Sequence, residues 1–355
     1  MRYDYIIVGQ GLAGSCIAMR LMELNKRILV IDKPHANSSS KVAAGLFNPI
    51  TGRKMVKTWK CDQLFPALRS FYERMEVVLD AQFFHNINIY RPFSDLEQQN
   101  EWMGRSSSNE YIEYVESINH SSKYPSQLND ENGGIVIKNA GYVNLPVFIE
   151  SVKNKLLEEK VYVESSFDDA EIEHLENGVR YEAYHCDKLI ICNGESMADS
   201  SLFGWLPHSL VKGEIIDVQL SENQQMIYNR GVFMLPKNGR CRIGATYEIY
   251  DRTYNETEKA RKALVTKLEA LYKLPYEIIS QVAGIRPATK DRRPFIGTHP
   301  KHTNIGIFNG LGAKGVSLAP YFSDQYVQFL ERGSDLDKEV DINRYNSLYL
   351  DSLVN

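Results

Sequence analysis

The feature that most constrains the fold is the run Gly9-Gln10-Gly11-Leu12-Ala13-Gly14. It stands between a short β-branched stretch, Tyr3 to Val8, and a segment in which Ile17, Leu21 and Leu24 recur at helical spacing. A second apolar run, Arg27 to Ile31, follows and ends on Asp32. Strand, tight turn, helix and returning strand predict a right-handed βαβ unit with two parallel strands. In such a unit the first glycine permits the turn, the second lets the backbone approach a pyrophosphate, and the third lets helix and strand pack closely. The helix N-terminus offers unpaired N–H groups and a partial positive charge to phosphates. A carboxylate at Asp32 accepts hydrogen bonds from ribose hydroxyls. Gly9, Gly11, Leu12, Ala13, Gly14, Asp32 and Lys33 are therefore the expected contacts of a dinucleotide. The unit alone does not separate a flavin from a nicotinamide cofactor.

A second run, Gly310-Leu311-Gly312-Ala313-Lys314-Gly315, matches the same pattern, again between a predicted strand (Ile305 to Phe308) and a predicted helix (Val316 to about Leu330). A second dinucleotide domain does not follow. The tail after that helix, Gly333 to Asp337, carries no returning apolar strand or terminal acid. The better reading is a glycine loop and helix N-terminus facing the redox ring of one cofactor. Their dipole, with Lys314, would stabilise negative charge on a reduced flavin.

Just upstream stands Ala283-Gly284-Ile285-Arg286-Pro287-Ala288-Thr289-Lys290-Asp291, continuing to Pro294-Phe295-Ile296-Gly297. Together with the N-terminal cradle this resembles the FAD-dependent D-amino-acid oxidase superfamily, its glycine oxidase-like branch especially. Ala43-Ala44-Gly45-Leu46, Cys192-Asn193-Gly194, Val211-Lys212-Gly213-Glu214 and Ile243-Gly244-Ala245-Thr246 are further landmarks in family order. The resemblance implies an α/β protein: a Rossmann-type FAD-binding domain with an interleaved α+β substrate domain built on an antiparallel sheet. The expected division is 1–85, 141–212 and 287–355 for FAD, and 86–140 and 213–286 for substrate.

It also implies the chemistry: oxidation of the C–N bond of an amine or amino acid by hydride transfer to flavin N5, giving an imine that hydrolyses. The flavin carries that reaction, and the protein supplies placement and electrostatics. By the same resemblance Arg286 grips the substrate carboxylate, Tyr247 lies over the substrate, and Ala44, Gly45, Gly194, Gly310, Gly312, Ala313, Lys314 and Gly315 join the cofactor contacts. Non-covalent FAD is expected, because no cysteine follows Cys241 and Val42 occupies the place where some relatives carry a tethering histidine. Phe233 stands where glycine oxidase-like enzymes carry a tyrosine, and Ala313 where some carry a second basic residue. The segment Phe47 to Lys54 replaces a less polar loop; Asn48, Thr51 and Arg53 are candidates for contacts to a larger or more anionic substrate.

Two other flavin chemistries remain open at this point. One is removal of a carboxymethyl group from a modified tRNA base, for which Arg53, Lys54, Lys57, Lys60 and Trp59 form a basic cluster. The other is a hydroxy-acid dehydrogenase, which needs an acid–base side chain such as histidine beside the reacting hydroxyl. A formal charge of −4 over 355 residues argues against global attraction to phosphate backbones, so no nucleic-acid partner is expected. The five cysteines are scattered and never in a C-x-x-C pair, and the eight histidines lack ligand spacing, so no metal is expected. His299 and His302, in a Pro-flanked stretch, are expected at the solvent. No window reads as a membrane span or signal peptide; a cytoplasmic enzyme acting on a small amine or amino acid, with oxygen as its acceptor, is the expectation.

Overall fold

The computed structural model describes residues 2–105, 108–222, 224–237 and 239–353. The Ser-rich point at Ser106 and Ser107, and Asn238 of the expected hairpin turn, lie outside the described residues. The opening unit is strand β1 (Arg2–Val8), helix α1 (Leu12–Glu23) and strand β2 (Ile28–Asp32). β1 lies between two parallel neighbours, β2 and the strand Tyr184–Ile191. Tyr162–Glu164 runs parallel beyond β2, and Ile305–Asn309 runs parallel beside Tyr184–Ile191. Ile6, Ile7, Leu29, Val30, Leu189 and Ile190 are all buried, as strands covered on both faces require. The register sets Val8 against both Ile31 and Ile191, and Ile191 against Ile307. Four strands therefore stop at one level. The loops that leave them share one edge, the place where open α/β sheets bind ligands.

A second eight-stranded sheet is antiparallel apart from one parallel pair, Ile227–Arg230 with Ile89–Pro92. Its other strands include the hairpin Val232–Lys237 and Arg240–Gly244, and two long partners, His208–Leu220 and Tyr276–Thr289. These two pair from His208 opposite Thr289 to Leu220 opposite Tyr276. The helix Glu258–Glu269 buries Leu264 and Leu268 against this sheet, with Ile216, Met234 and Ile243. The strand Tyr276–Thr289 also packs on the turns at 194–199 and 312–314, so it carries residues of the second sheet to the edge of the first. The protein is thus α/β, with a mostly parallel sheet and an antiparallel one interleaved in chain order. The division at 212/213 and 286/287 stays a proposal, and both points fall inside continuous strands.

Residues 141–143 form a short strand, and the helix Leu145–Glu158 follows, with Asn144 at its cap position but making no side-chain cap. The helix at 258 is capped by Thr257, whose side chain accepts from the Ala260 N–H. The 19-residue helix Cys61–Leu79 packs on the helix Gly315–Arg332. The expectation for His299 is corrected. His299 is buried: its Nδ1 accepts the N–H groups of Lys301 at 3.2 Å and His302 at 3.0 Å, and burial lowers its pKa to about 4. An imidazole that accepts two backbone donors stays neutral and structural.

The closest approach in the opening unit is between α1 and the turn before it. A Cβ on Gly14 would lie 1.8 Å from the carbonyl oxygen of Gly9. Gly14→Ala is expected to lose about 3 kcal/mol of stability through that overlap. Gly104→Ala, in a helix where a Cβ meets nothing within 4 Å, should gain up to about 1 kcal/mol. Urea denaturation followed by circular dichroism measures both.

Candidate active site

At the shared strand edge the backbone turns sharply. Gly9 has φ +95°, and a Cβ there would lie 2.6 Å from the carbonyl oxygen of Cys192. That contact seats the first turn against the loop Cys192-Asn193-Gly194. α1 then begins, and its first-turn N–H groups have no carbonyl one turn before them; Leu12 N–H donates to Ser40 Oγ at 3.1 Å. Asp32 Oδ1 accepts the Gln10 N–H at 2.9 Å, and its Oδ2 lies 3.4 Å from the Tyr162 hydroxyl. A carboxylate has acceptor capacity beyond these two bonds.

The late segment arrives at the same edge. Asn309, at the end of its strand, donates from Nδ2 to the carbonyl of Gly194 at 3.0 Å and accepts the Gly310 N–H at 2.8 Å. One side chain thus fixes the glycine loop against the loop after the neighbouring strand. Arg286 comes from the long strand Tyr276–Thr289, opposite Val211. Its guanidinium lies across Gly213, where a Cβ would sit 2.1 Å from Nη2, so a side chain there would displace the guanidinium. Nη1 donates to the Thr246 carbonyl at 3.3 Å. Among the described residues no carboxylate pairs with Arg286, and burial lowers its pKa.

A single cavity of about 740 Å³ spans both ends. Its walls include Gly9, Gly11, Leu12, Ala13, Asp32, Lys33, Ala44, Gly45 and Gly194 on one side, and Arg286, Gly312, Ala313 and Gly315 on the other. Gly14 and Gly310 are not on the wall; Gly14 packs α1 on the turn, and Gly310, with φ +74°, turns the chain beneath Thr289. Lys314 points away, its Nζ 3.4 Å from Thr51 Oγ1. Tyr247 is 69% exposed and off the wall. Phe233 does line the cavity, at the place expected for it.

Glu195 is among the lining residues that sequence reasoning missed. Glu195 Oε2 is buried without a hydrogen-bond partner, and burial, with Asp199 nearby, raises the carboxyl to about 7. A lone acid after an Asn-Gly turn gives no sequence signal. The cradle, the ribose-type acceptor at Asp32 and this orphaned oxygen fit a hydroxyl-rich dinucleotide. The basic cluster at 53–60 is dispersed: Lys57 pairs with Asp62 at 2.7 Å, Lys60 with Asp337 at 2.7 Å, and Trp59 stacks on Phe322. His35, two residues after Lys33, lines the cavity and stacks on Tyr254. The five cysteines are free and buried, and among the described residues no cluster suits a metal ion and no helix is long and apolar enough to cross a membrane.

Comparison with known proteins agrees with this geometry. The family model for FAD dependent oxidoreductases, DAO, matches residues 4–327. Glycine oxidase of Bacillus subtilis (strain 168) is 33% identical over 122 residues, a match that spans 31% of each chain. Glycine oxidase of Geobacillus kaustophilus (strain HTA426) is 23% identical over 365 residues, 93% of each chain. Among solved structures, glycine oxidase from Geobacillus kaustophilus superposes with a TM-score of 0.78 at 19% identity, covering 94% of this chain and 96% of the other. Iminodiacetate oxidase from Chelativorans sp. BNC1 gives 0.76 at 19%, covering 96% and 98%. These structural likenesses establish the fold, and the family match over nearly the whole length places the protein in the DAO family of FAD-dependent oxidoreductases.

Proposed function

We propose that this FAD-dependent oxidoreductase oxidises the C–N bond of a small amine or amino acid whose carboxylate is held by Arg286. The observation that carries the reading is a guanidinium on the cavity wall, without a carboxylate partner among the described residues, at the end of the cavity formed by the late glycine loop. A planar fork in a partly desolvated setting binds a carboxylate through two parallel bonds, which sets orientation as well as charge. FAD, when bound, supplies the hydride acceptor. The chain's own task is placement: Arg286 anchors one end of the substrate, and Ile215, Ile285 and Phe233 give apolar walls that exclude water from the reacting carbon. Gly312 and Gly315, at the N-terminus of the helix Gly315–Arg332, direct backbone dipoles toward developing negative charge. Names of relatives agree: glycine oxidases and an iminodiacetate oxidase act on amines that carry a carboxylate. Non-covalent FAD and oxygen as acceptor complete the reading. The dispersed basic cluster argues against a tRNA substrate.

Arg286→Leu removes the charged partner and should raise the Kd of small carboxylate substrates by about 30- to 150-fold, or about 2–3 kcal/mol. Anaerobic bleaching of the flavin, titrated across amino acids and N-methylated amines, measures it; unchanged binding in the variant would remove Arg286 from this role.

The cofactor half has its own test. The carboxyl of Glu195 is raised in the folded chain, so its contribution to stability is present below the unfolded pKa and lost as pH rises toward about 7. In the FAD-free protein, Glu195→Gln should therefore gain stability relative to wild type between pH 5 and pH 8. Urea midpoints across that range read the effect, and parallel curves for the two proteins would contradict it.

A further inference from the structure

Beside the main cavity lies a second one, of about 570 Å³, between the turn at 48–53 and the second sheet. Phe233 lines both, so its ring is a wall they share. The next hairpin strand does the same with consecutive residues: Gly244 faces the second cavity and Ala245 the first. The second cavity is cationic. Its walls carry the guanidinium groups of Arg53, Arg91 and Arg230 against one carboxylate, Asp95.

That carboxylate is bonded to neutral donors, with the Arg53 charge near enough to help lower its pKa. Asp95 accepts the Gln98 N–H at 2.8 Å and the Ser94 hydroxyl at 2.8 Å, and among the described residues it forms no ion pair with any of the three. Arg53 makes no side-chain hydrogen bond among the described residues. Arg91 spends one donor on the Gly52 carbonyl at 2.6 Å, and burial alone lowers its pKa to about 10. Arg230 bonds the carbonyls of Phe93 and Ala270 at 3.3 and 2.6 Å, and Glu131 and Asp130 lie near enough to offset part of its charge, so the unpaired cations of this cavity are Arg53 and Arg91. Arg53 is exposed, whereas Arg91 is half-buried, and a half-buried guanidinium without a paired carboxylate is unfavourable unless an anion completes it.

The turn that closes this cavity is built rather than loose. Besides the bond from Arg91, Gln98 Nε2 donates to the Arg53 carbonyl at 3.2 Å, and Arg105 Nη1 reaches the carbonyls of Lys54 and Met55, both at 3.1 Å. The Met55 side chain is fully buried beneath the turn. Lys314 touches the same rim through Thr51. Side chains from the second sheet and its connections therefore fix a cationic wall beside the place where Arg286 would hold the reacting end.

We infer that the second cavity is a subsite for a distal anionic group, and that the substrate is an amino acid or N-carboxymethyl amine whose other arm ends in a carboxylate or phosphate. This rests on the amine-oxidation reading for the reacting end, with Arg286 taking the first carboxylate and Arg53 and Arg91 the second. The arm passes the edge of Phe233. A second charge-assisted contact in a partly desolvated site favours the diacid over its neutral isostere by about tenfold or more.

The test uses the FAD-loaded enzyme and ligands that cannot be oxidised by loss of hydride beside nitrogen. These are carboxymethyl thioethers whose second arm, over a series of lengths, ends in a carboxylate, a phosphonate or a carboxamide. Binding is read from the flavin absorbance and by calorimetry, and the amine counterparts are tested for anaerobic bleaching. At one or more arm lengths an anionic terminus should bind about tenfold or more tightly than the carboxamide. That advantage should shrink by about fivefold in Arg53→Gln and in Arg91→Gln, and fall with added salt. Arg53→Gln keeps the case testable even if Arg91→Gln folds poorly, because the exposed Arg53 side chain makes no hydrogen bond or ion pair among the described residues. The stronger of carboxylate and phosphonate names the anion. Equal binding of anion and amide at every length, or an advantage that survives in Arg53→Gln, would overturn the subsite. Amines that never bleach the flavin, while the anionic thioethers keep their advantage, would instead refute C–N oxidation and leave the subsite standing.

Discussion

Every part of the site depends on the register of four parallel strands. Because Val8, Ile31, Ile191 and Ile307 stand level, the segments that follow them emerge at one edge: the glycine turn, Asp32, the Asn193-Gly194 loop and the Asn309-Gly310 loop. A slip of one residue in any pair would turn buried side chains outward and set its loop at another height. The register is held by strands buried on both faces and by two close backbone approaches, Gly9 against Cys192 and Gly14 against Gly9. Asn309 then ties the last loop to the third through hydrogen bonds from one side chain. The cavity follows from this alignment, and the long strand Tyr276–Thr289 delivers Arg286 to it from the second sheet.

Charge is distributed with a purpose that net charge hides. The chain is acidic overall, yet Arg286 stands on the wall of one cavity and Arg53, Arg91 and Arg230 on the wall of the next, with Asp95 the one carboxylate among the residues lining the second. Some other basic residues are paired, as Lys57 with Asp62, Lys60 with Asp337 and Arg242 with Asp217. The contrast separates arginines that stabilise the fold from those left available to a ligand.

How much was legible in the sequence follows from how local each signal is. The cradle, Asp32, the Arg286 segment and the late glycine loop are contiguous patterns, and the fold brings them to one cavity. The second cavity was not legible, although Arg53 drew attention: its arginines lie in three segments joined by the pairing of Ile227–Arg230 with Ile89–Pro92, and each alone reads as a solvated residue. The pairing within the basic run at 53–60 was hidden for the same reason, since Asp337 lies far along the chain from Lys60. The helix Cys61–Leu79 was within reach: Leu64, Leu68, Phe71 and Met75 mark one buried face, but Pro66 inside it disguised the period. Tyr247 and Lys314 are not among the residues that line the cavity, although Tyr247 lies near enough to Arg286 to interact with its charge.

The central claim is that the opening glycine turn and the late arginine-and-glycine segment hold opposite ends of one FAD. A crystal structure of the FAD-loaded protein tests it most directly. The account predicts the adenosine ribose at Asp32, the pyrophosphate at the N-terminus of α1, and the isoalloxazine ring between Ala44-Gly45 and the Gly312–Gly315 turn, with Arg286 beside it. A ring placed outside this cavity, or a late segment that touches no part of the cofactor, would contradict it.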